Sequence, residues 1–301
     1  MPDSHQRPIV VGVDGSANGD RALDWAAHLA ARARRPLRVV HVPEAGLLAR
    51  FIFAPGKDSL GDLARELVDN RVARAREAAA DLAVSGEVRP GSRDLCLTEE
   101  SRRAHLMVVG FHGFGGVESL VTGSATAQLA SRAACPVVAV PPDAPRNEVA
   151  RVTVGTDASR ASRPAVSWAF DLARLWRARL RIVLAWESSA FAWPEEHDEG
   201  WPADQEPSLD QARARISGFL TAKEAEYPDV PVEREVVPGA ALPVLVAESD
   251  RADLLVVGSH GHGQGIMETL MDLGSVTRGV LRHAHCPVAV VPGRPGNPPT
   301  G

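Results

Sequence analysis

The chain is short of several things, and each shortage excludes something. It has only three cysteines, Cys96, Cys135 and Cys286, an odd and widely spaced set that argues against a disulfide framework and for a reduced, cytoplasmic protein. Met1 to Pro8 is polar and lacks the apolar stretch of a signal peptide. No apolar run approaches the roughly 20 residues of a membrane span, so no membrane partner is expected. Lysine is nearly absent: Lys57 and Lys223 are the only two, and arginine carries the rest of the positive charge. The net charge of -5 gives no basic domain of the kind that binds nucleic acid, so none is expected as a partner. Aromatic residues make up only 5% of a chain rich in alanine and valine, which suits Ala-rich helices packed on Val-rich strands.

What the chain does have, it has twice. Val10-Val11-Gly12-Val13-Asp14-Gly15-Ser16 returns as Val152-Thr153-Val154-Gly155-Thr156-Asp157-Ala158-Ser159. Val108-Val109-Gly110-Phe111-His112-Gly113 returns as Val256-Val257-Gly258-Ser259-His260-Gly261, and Cys135-Pro136-Val137 as Cys286-Pro287-Val288. A repeat this long is a duplicated domain, since solenoid periods run from roughly 20 to 50 residues. The 301 residues accommodate two domains of about 150 residues each. Trp25 and Trp168 stand equally far beyond Asp14 and Asp157, which marks them as matching core positions. Cys135 and Cys286, each just ahead of a strand, read as small buried hydrophobes.

In the first half, short apolar runs alternate with helical spacing. Strands are expected at 9–13, 37–42, 87–89, 106–109 and 136–140, and helices at 17–34, 58–83, 93–103 and 124–132. The pattern restarts at Val152. Such alternation predicts an α/β fold of two tandem Rossmann-like domains, each a five-stranded parallel sheet with helices on both faces. The expected boundaries are 1–144 and 149–293, with a disordered Pro/Gly-rich tail over 294–301. The second half also inserts Ser188 to Pro207, a loop too long to be a simple connection.

The glycine loops carry the chemistry. The first reads Gly110-x2-Gly113-x9-Gly123-Ser124, followed by Ala125 and Thr126. It joins a strand's carboxyl end to a new helix, the edge where open α/β sheets bind ligands. A helix N-terminus offers unpaired N–H groups and a positive dipole end to an anion. Asp14, on the same edge, can accept hydrogen bonds from ribose hydroxyls or an exocyclic amine, or can instead cap the helix near Ala17. Its recurrence as Asp157 beside a second glycine loop favours the ligand role. There is no P-loop and no dinucleotide fingerprint.

These motifs, in order and in duplicate, resemble the universal stress protein family. The resemblance spans about residues 7–141 and 150–292. It rests on the Asp motif, Val-Val-Gly-x-His-Gly, the G-x2-G-x9-G-[ST] loop and the terminal Cys-Pro-Val strand. In ATP-binding members the Asp region and the end of strand two hold the adenosine, and the glycine loop holds the phosphates. Carried over by position, this implies Gly12, Val13, Asp14, Val42, Val109, Gly110, Gly113, Gly123, Ser124, Ala125 and Thr126. In the second half it implies Gly155, Thr156, Asp157, Ala185, Val257, Gly258, Gly261, Gly274, Ser275, Val276 and Thr277. The implied cofactor is ATP, with or without Mg. The second loop departs from the pattern: Gly258-x2-Gly261-x12-Gly274 is three residues longer. The excess either bulges outward or brings Asp272 towards the phosphates.

His260, His262, His283 and His285 invite a metal reading, but zinc needs about four converging ligands and no second cluster completes the set. No dedicated base or repeated arginine stands in the loops, so efficient ATP turnover is not expected. Two readings stay open: an ATP-binding regulatory module of a stress response, and a nucleotide-independent interaction protein with degenerate sites. Slow hydrolysis or self-phosphorylation at Ser124 is a third. The expected partners are an adenine nucleotide, a second copy in a homodimer and an unidentified protein.

Overall fold

The computed structural model describes residues 7–43, 60–111, 124–142, 144, 149–187, 208–260 and 273–293. The expected tail and the inserted loop lie outside them. The chain divides into two compact units, Met1–Asn147 and Glu148–Arg294.

The first unit contains strands β1 (Ile9–Val13), β2 (Leu37–His41), β3 (Val84–Val88), β4 (Leu106–Gly110) and β5 (Val137–Val140). Helices α1 (Ala17–Ala33), α2 (Leu60–Ala78), α3 (Arg93–Ser101) and α4 (Ser124–Arg132) connect them. The strands are parallel in the order β3-β2-β1-β4-β5. The second unit repeats the plan with β6 (Arg151–Gly155), β7 (Arg179–Trp186), β8 (Val232–Pro238), β9 (Leu254–Gly258) and β10 (Val288–Val291). Its helices are α5 (Arg163–Trp176), α6 (Leu209–Glu226), α7 (Ala241–Ser249) and α8 (Ser275–His283), and its strand order is β8-β7-β6-β9-β10. The expected α/β architecture is therefore present in both halves.

The central strands β1 and β4 are buried along their whole length, as their unbroken apolar sequences require. Each Val, Leu or Ile side chain so buried contributes about 1.5–3 kcal/mol. Helices cover both faces. Side chains of neighbouring residues on a strand point oppositely. Arg38 of β2 pairs with Glu100 of α3, whereas Gly86, the register partner of Val39, lies under Val68 and Val72 of α2. So α2 and α3 lie on opposite faces.

Glu100 sits almost fully buried between Arg38 and Arg89, and Arg89 Nη1 donates to it at 2.5 Å. The second unit repeats the arrangement: Arg181 Nε donates to buried Glu248 at 2.7 Å. That hydrogen bond raises the Arg181 pKa above its ordinary value. Ser101 and Ser249, the next residues, each accept a backbone N–H at 3.0 Å, from Ala134 and His285. Cys135 and Cys286 are buried free thiols, as expected, and burial pushes both up to about 12.

Strand β3 differs from expectation. It spans Val84–Val88 instead of 87–89, and α2 stops at Ala78. Gly86 stands inside the strand because a Cβ there would run into Val68 Cγ1 and Val72 Cγ2. The glycine lets the helix approach the sheet.

Candidate functional site

In each unit the implied residues that the structure describes lie at the carboxyl edge of the sheet. Gly12 and Val13 close β1, Val109 and Gly110 close β4, and Asp14 and Val42 follow β1 and β2 directly. The β1–β4 register, which sets Val11 opposite Val108, carries Val13 to the level of Gly110. These two strands flank the point where the strand order reverses, the place where such sheets open a crevice. Ser124, Ala125 and Thr126 form the first turn of α4, and Thr126 is buried. Gly113 and Gly123 lie outside the described residues, as do Gly261 and Asp272.

Asp14 builds a local turn. Its Oδ1 accepts the Ser16 N–H at 2.9 Å and the Ser16 hydroxyl at 2.6 Å. Ser16 is the N-cap of α1, and its Oγ accepts the Gly19 N–H at 3.0 Å. The helix cap is therefore Ser16, not Asp14, and Asp14 orients it. Both bonds use Oδ1, which leaves Oδ2 outside the turn. The first turn of α1 lies against Gly110, where a Cβ would meet the Asn18 carbonyl at 3.0 Å. The missing side chain of Gly110 is thus accounted for by helix packing. Gly15, next to Asp14, is left-handed, at φ 84°.

The second unit repeats this turn. Asp157 Oδ1 accepts the Ser159 N–H at 3.0 Å, and Ser159 Oγ accepts from Ser162 at 3.3 Å. Ala158 takes the place of Gly15 and keeps its left-handed backbone, at φ 55°. An alanine in that region is strained, so the surrounding turn dictates the conformation. Gly155 ends β6, Ala185 lies near the end of β7, and Val257 and Gly258 end β9.

The start of α8 shows how helix and strand meet. Gly274 is its N-cap, and no side chain caps it. The Gly274 N–H donates to the Ser259 carbonyl at 3.0 Å. The buried Thr277 hydroxyl donates to the Gly258 carbonyl at 2.7 Å, tying the first turn to the strand end. The amides of Ser275, Val276 and Thr277 precede the first helical bond, Arg278 N–H to Gly274. A helix start leaves such amides without an intrahelical partner.

His283 and His285 stand exposed at the far end of α8, where His285 Nδ1 lies 2.7 Å from Asp250. No group of three or more metal-binding side chains converges among the described residues. No helix among them is long and apolar enough to cross a membrane. Sequence reasoning missed Gly15, Ser16, Ser159 and Ser162. Gly15 and Ser16 were visible in the first repeat, and Ser159 recurs in the second. His41 and Arg71, whose side chains reach the Val13 and Gly15 carbonyls beside Asp14, carry no repeat signal because the second half has Leu184 and Phe219 in their places.

The universal stress protein family model matches the chain twice, over residues 6–141 and 148–292. The chain belongs to the universal stress protein family. It is thus a tandem member of a family of stress-response proteins. The universal stress protein Rv2005c of Mycobacterium tuberculosis is 38% identical over 295 residues, covering 95% of this chain and 97% of that protein. A universal stress protein of Mycolicibacterium smegmatis is 32% identical over 298 residues, covering 94% of this chain and 96% of that one. A crystal structure of a universal stress protein from Archaeoglobus fulgidus matches with a TM-score of 0.67 at 17% identity, covering 96% of this chain and 99% of that one. That likeness bears on the fold alone.

Proposed function

We infer that this chain is a nucleotide-dependent regulatory protein that binds ATP at the carboxyl edge of each unit. The observation that carries this is the convergence of Asp14 and the end of β4 at the reversal of strand order, repeated by Asp157 with the end of β9 and the start of α8. In this reading Asp14 Oδ2 accepts from the ribose hydroxyls, and the first-turn amides of α4 bind the phosphates. The residues fit such a ligand: a carboxylate oxygen lies outside its local turn, and in the second unit three helix amides precede the first helical bond. Mg, where present, would ride on the phosphates. ATP binding alone is proposed, without turnover. The protein acts in the cytoplasm, as a homodimer, through a partner that senses its bound state.

The test is Gly113→Val, which places bulk where the loop backbone must approach the phosphates. Calorimetry should show at least tenfold weaker ATP binding with the fold intact by circular dichroism. Unchanged affinity in a folded variant would remove the phosphates from this loop. The nucleotide-independent reading draws on one feature, the longer second loop, and gains ground if the wild-type chain takes up no nucleotide.

A further inference from the structure

We propose that His41 and Arg71 are positioning residues of the first site, an inference that rests on the nucleotide reading above. The carbonyls of Val13 and Gly15 flank Asp14 in the chain. Each is reached by a side chain from another element. His41, the last residue of β2, brings Nδ1 within 2.8 Å of the Val13 carbonyl. A carbonyl has no proton to give, so Nδ1 carries the proton and donates it. Arg71 of α2 reaches the Gly15 carbonyl through Nη2 at 3.4 Å, a long bond, while its Nε donates to Asp20 Oδ1 at 3.0 Å.

Asp20 lies in the first turn of α1, so Arg71 ties α2 both to the Asp14 turn and to the helix that follows it. Leu67, one turn earlier on α2, presses on the same spot. A Cβ on Gly15 would stand 2.9 Å from Leu67 Cδ1. The Asp14 turn is therefore fixed from two directions, by the end of β2 and by the flank of α2.

The second half makes the comparison. Helix α2 ends as far ahead of β3 as α6 ends ahead of β8, which sets Phe219 at the place of Arg71. Arg163 takes the place of Asp20, and its guanidinium lies 5.7 Å from the Phe219 ring centre. An ion pair between these helices has become a cation–ring contact. The β6–β7 register, read one pair beyond Gly155 opposite Val183, sets Leu184 at the place of His41. Neither Leu184 nor Phe219 carries an N–H on its side chain. The second turn draws on its own hydroxyls: Thr156 Oγ1 lies 2.8 Å from Ser162 Oγ and accepts the Ala158 N–H at 3.0 Å.

A turn held in place before the ligand arrives loses less freedom on binding, so its carboxylate binds more tightly. His41 and Arg71 supply that order in the first unit without touching the ligand themselves. The two sites are consequently built to different standards of rigidity.

The test uses the full chain carrying Asp157→Ala, so that the first site is read alone. In this background His41→Leu with Arg71→Phe gives the first turn the second half's residues. Calorimetry should show ATP binding about tenfold weaker, about the net worth of one hydrogen bond. Amide exchange over residues 14–19 should quicken without ligand. The conservative pair His41→Gln with Arg71→Lys keeps both donors and should recover most of the affinity. Unchanged affinity in the Leu/Phe variant overturns the proposal, as does an equal loss in the conservative pair, which would mark simple packing. If the parent chain binds no ATP, the proposed function fails instead. The exchange arm then still decides: unchanged exchange overturns the brace.

Discussion

His105 and Asp253 hold the same place, one residue ahead of β4 and of β9, and they act differently. Both donate their backbone N–H to the segment entering the first strand of their unit, His105 to Pro8 at 2.8 Å and Asp253 to Arg151 at 2.9 Å. The Asp253 carboxylate adds two bonds, from the N–H groups of Ala150 at 3.0 Å and Arg151 at 2.8 Å. His105 adds a partly buried imidazole, pushed down to about 4 by burial and then by Arg35 and Arg7. An unfolded chain takes up the same proton near pH 6.5. Between about 4 and 6.5 the unfolded chain therefore binds a proton that the folded chain refuses, and stability rises with pH across that window. The contribution is complete above about pH 6.5 and is lost as the pH falls towards 4. The lowered value sets a ceiling of about 3 kcal/mol on the effect. His105→Asn should flatten this slope. Urea unfolding at pH 4.5 and 7 measures it, and an identical acid loss in wild type and variant would show that the slope arises elsewhere.

At the scale of elements, the contact between α2 and β3 is the most demanding fit. Gly86→Ala should destabilise the first unit by about 1–3 kcal/mol, because the new methyl meets Val68 and Val72 well inside van der Waals contact. Val68→Ala, added to it, should return part of that loss even though it costs stability alone. A denaturant series on the four chains gives the coupling, and strict additivity would place the strain somewhere other than Val68. This same contact shows where sequence reading stops. Strands whose residues are apolar throughout, such as β1, β4 and β9, were legible from composition alone. Strand β3 is Val-Ser-Gly-Glu-Val; its glycine answers to a helix and its Glu87 pairs with Arg38, 49 residues away. The buried Glu-Ser pair was legible and was passed over. Glu100-Ser101 and Glu248-Ser249 stand equally far before β4 and β9, a repeat as regular as the glycine loops. In the candidate site, recurring residues could be found by comparing the halves. His41 and Arg71 could not, because their value lies in a contact that only one half makes.

At the scale of the whole molecule, duplication turns one question into two. Each unit carries its own aspartate turn, its own strand-order reversal and its own helix start. The differences between them are local and include Ala158 for Gly15, Thr156 for Val13, Leu184 for His41, Phe219 for Arg71, and three more residues in the second glycine loop. Such changes alter affinity more readily than they abolish a site, because the carboxylate and the helix amides remain. The exception would be an acidic residue of the longer loop brought close to the phosphates. A charge pair at about 4 Å costs about 4 kcal/mol at an effective dielectric near 20, enough to empty a weak site. Since Gly258, Gly274 and Ser275 are kept at the ends of that loop, the expected stoichiometry is two ATP per chain, with the second bound more weakly. Asp14→Ala should leave one weak event, and Asp157→Ala one strong event. Calorimetric titration of the three chains separates the cases. A wild-type stoichiometry of one that Asp157→Ala does not change would mean that the second unit keeps the fold of a nucleotide site without its ligand.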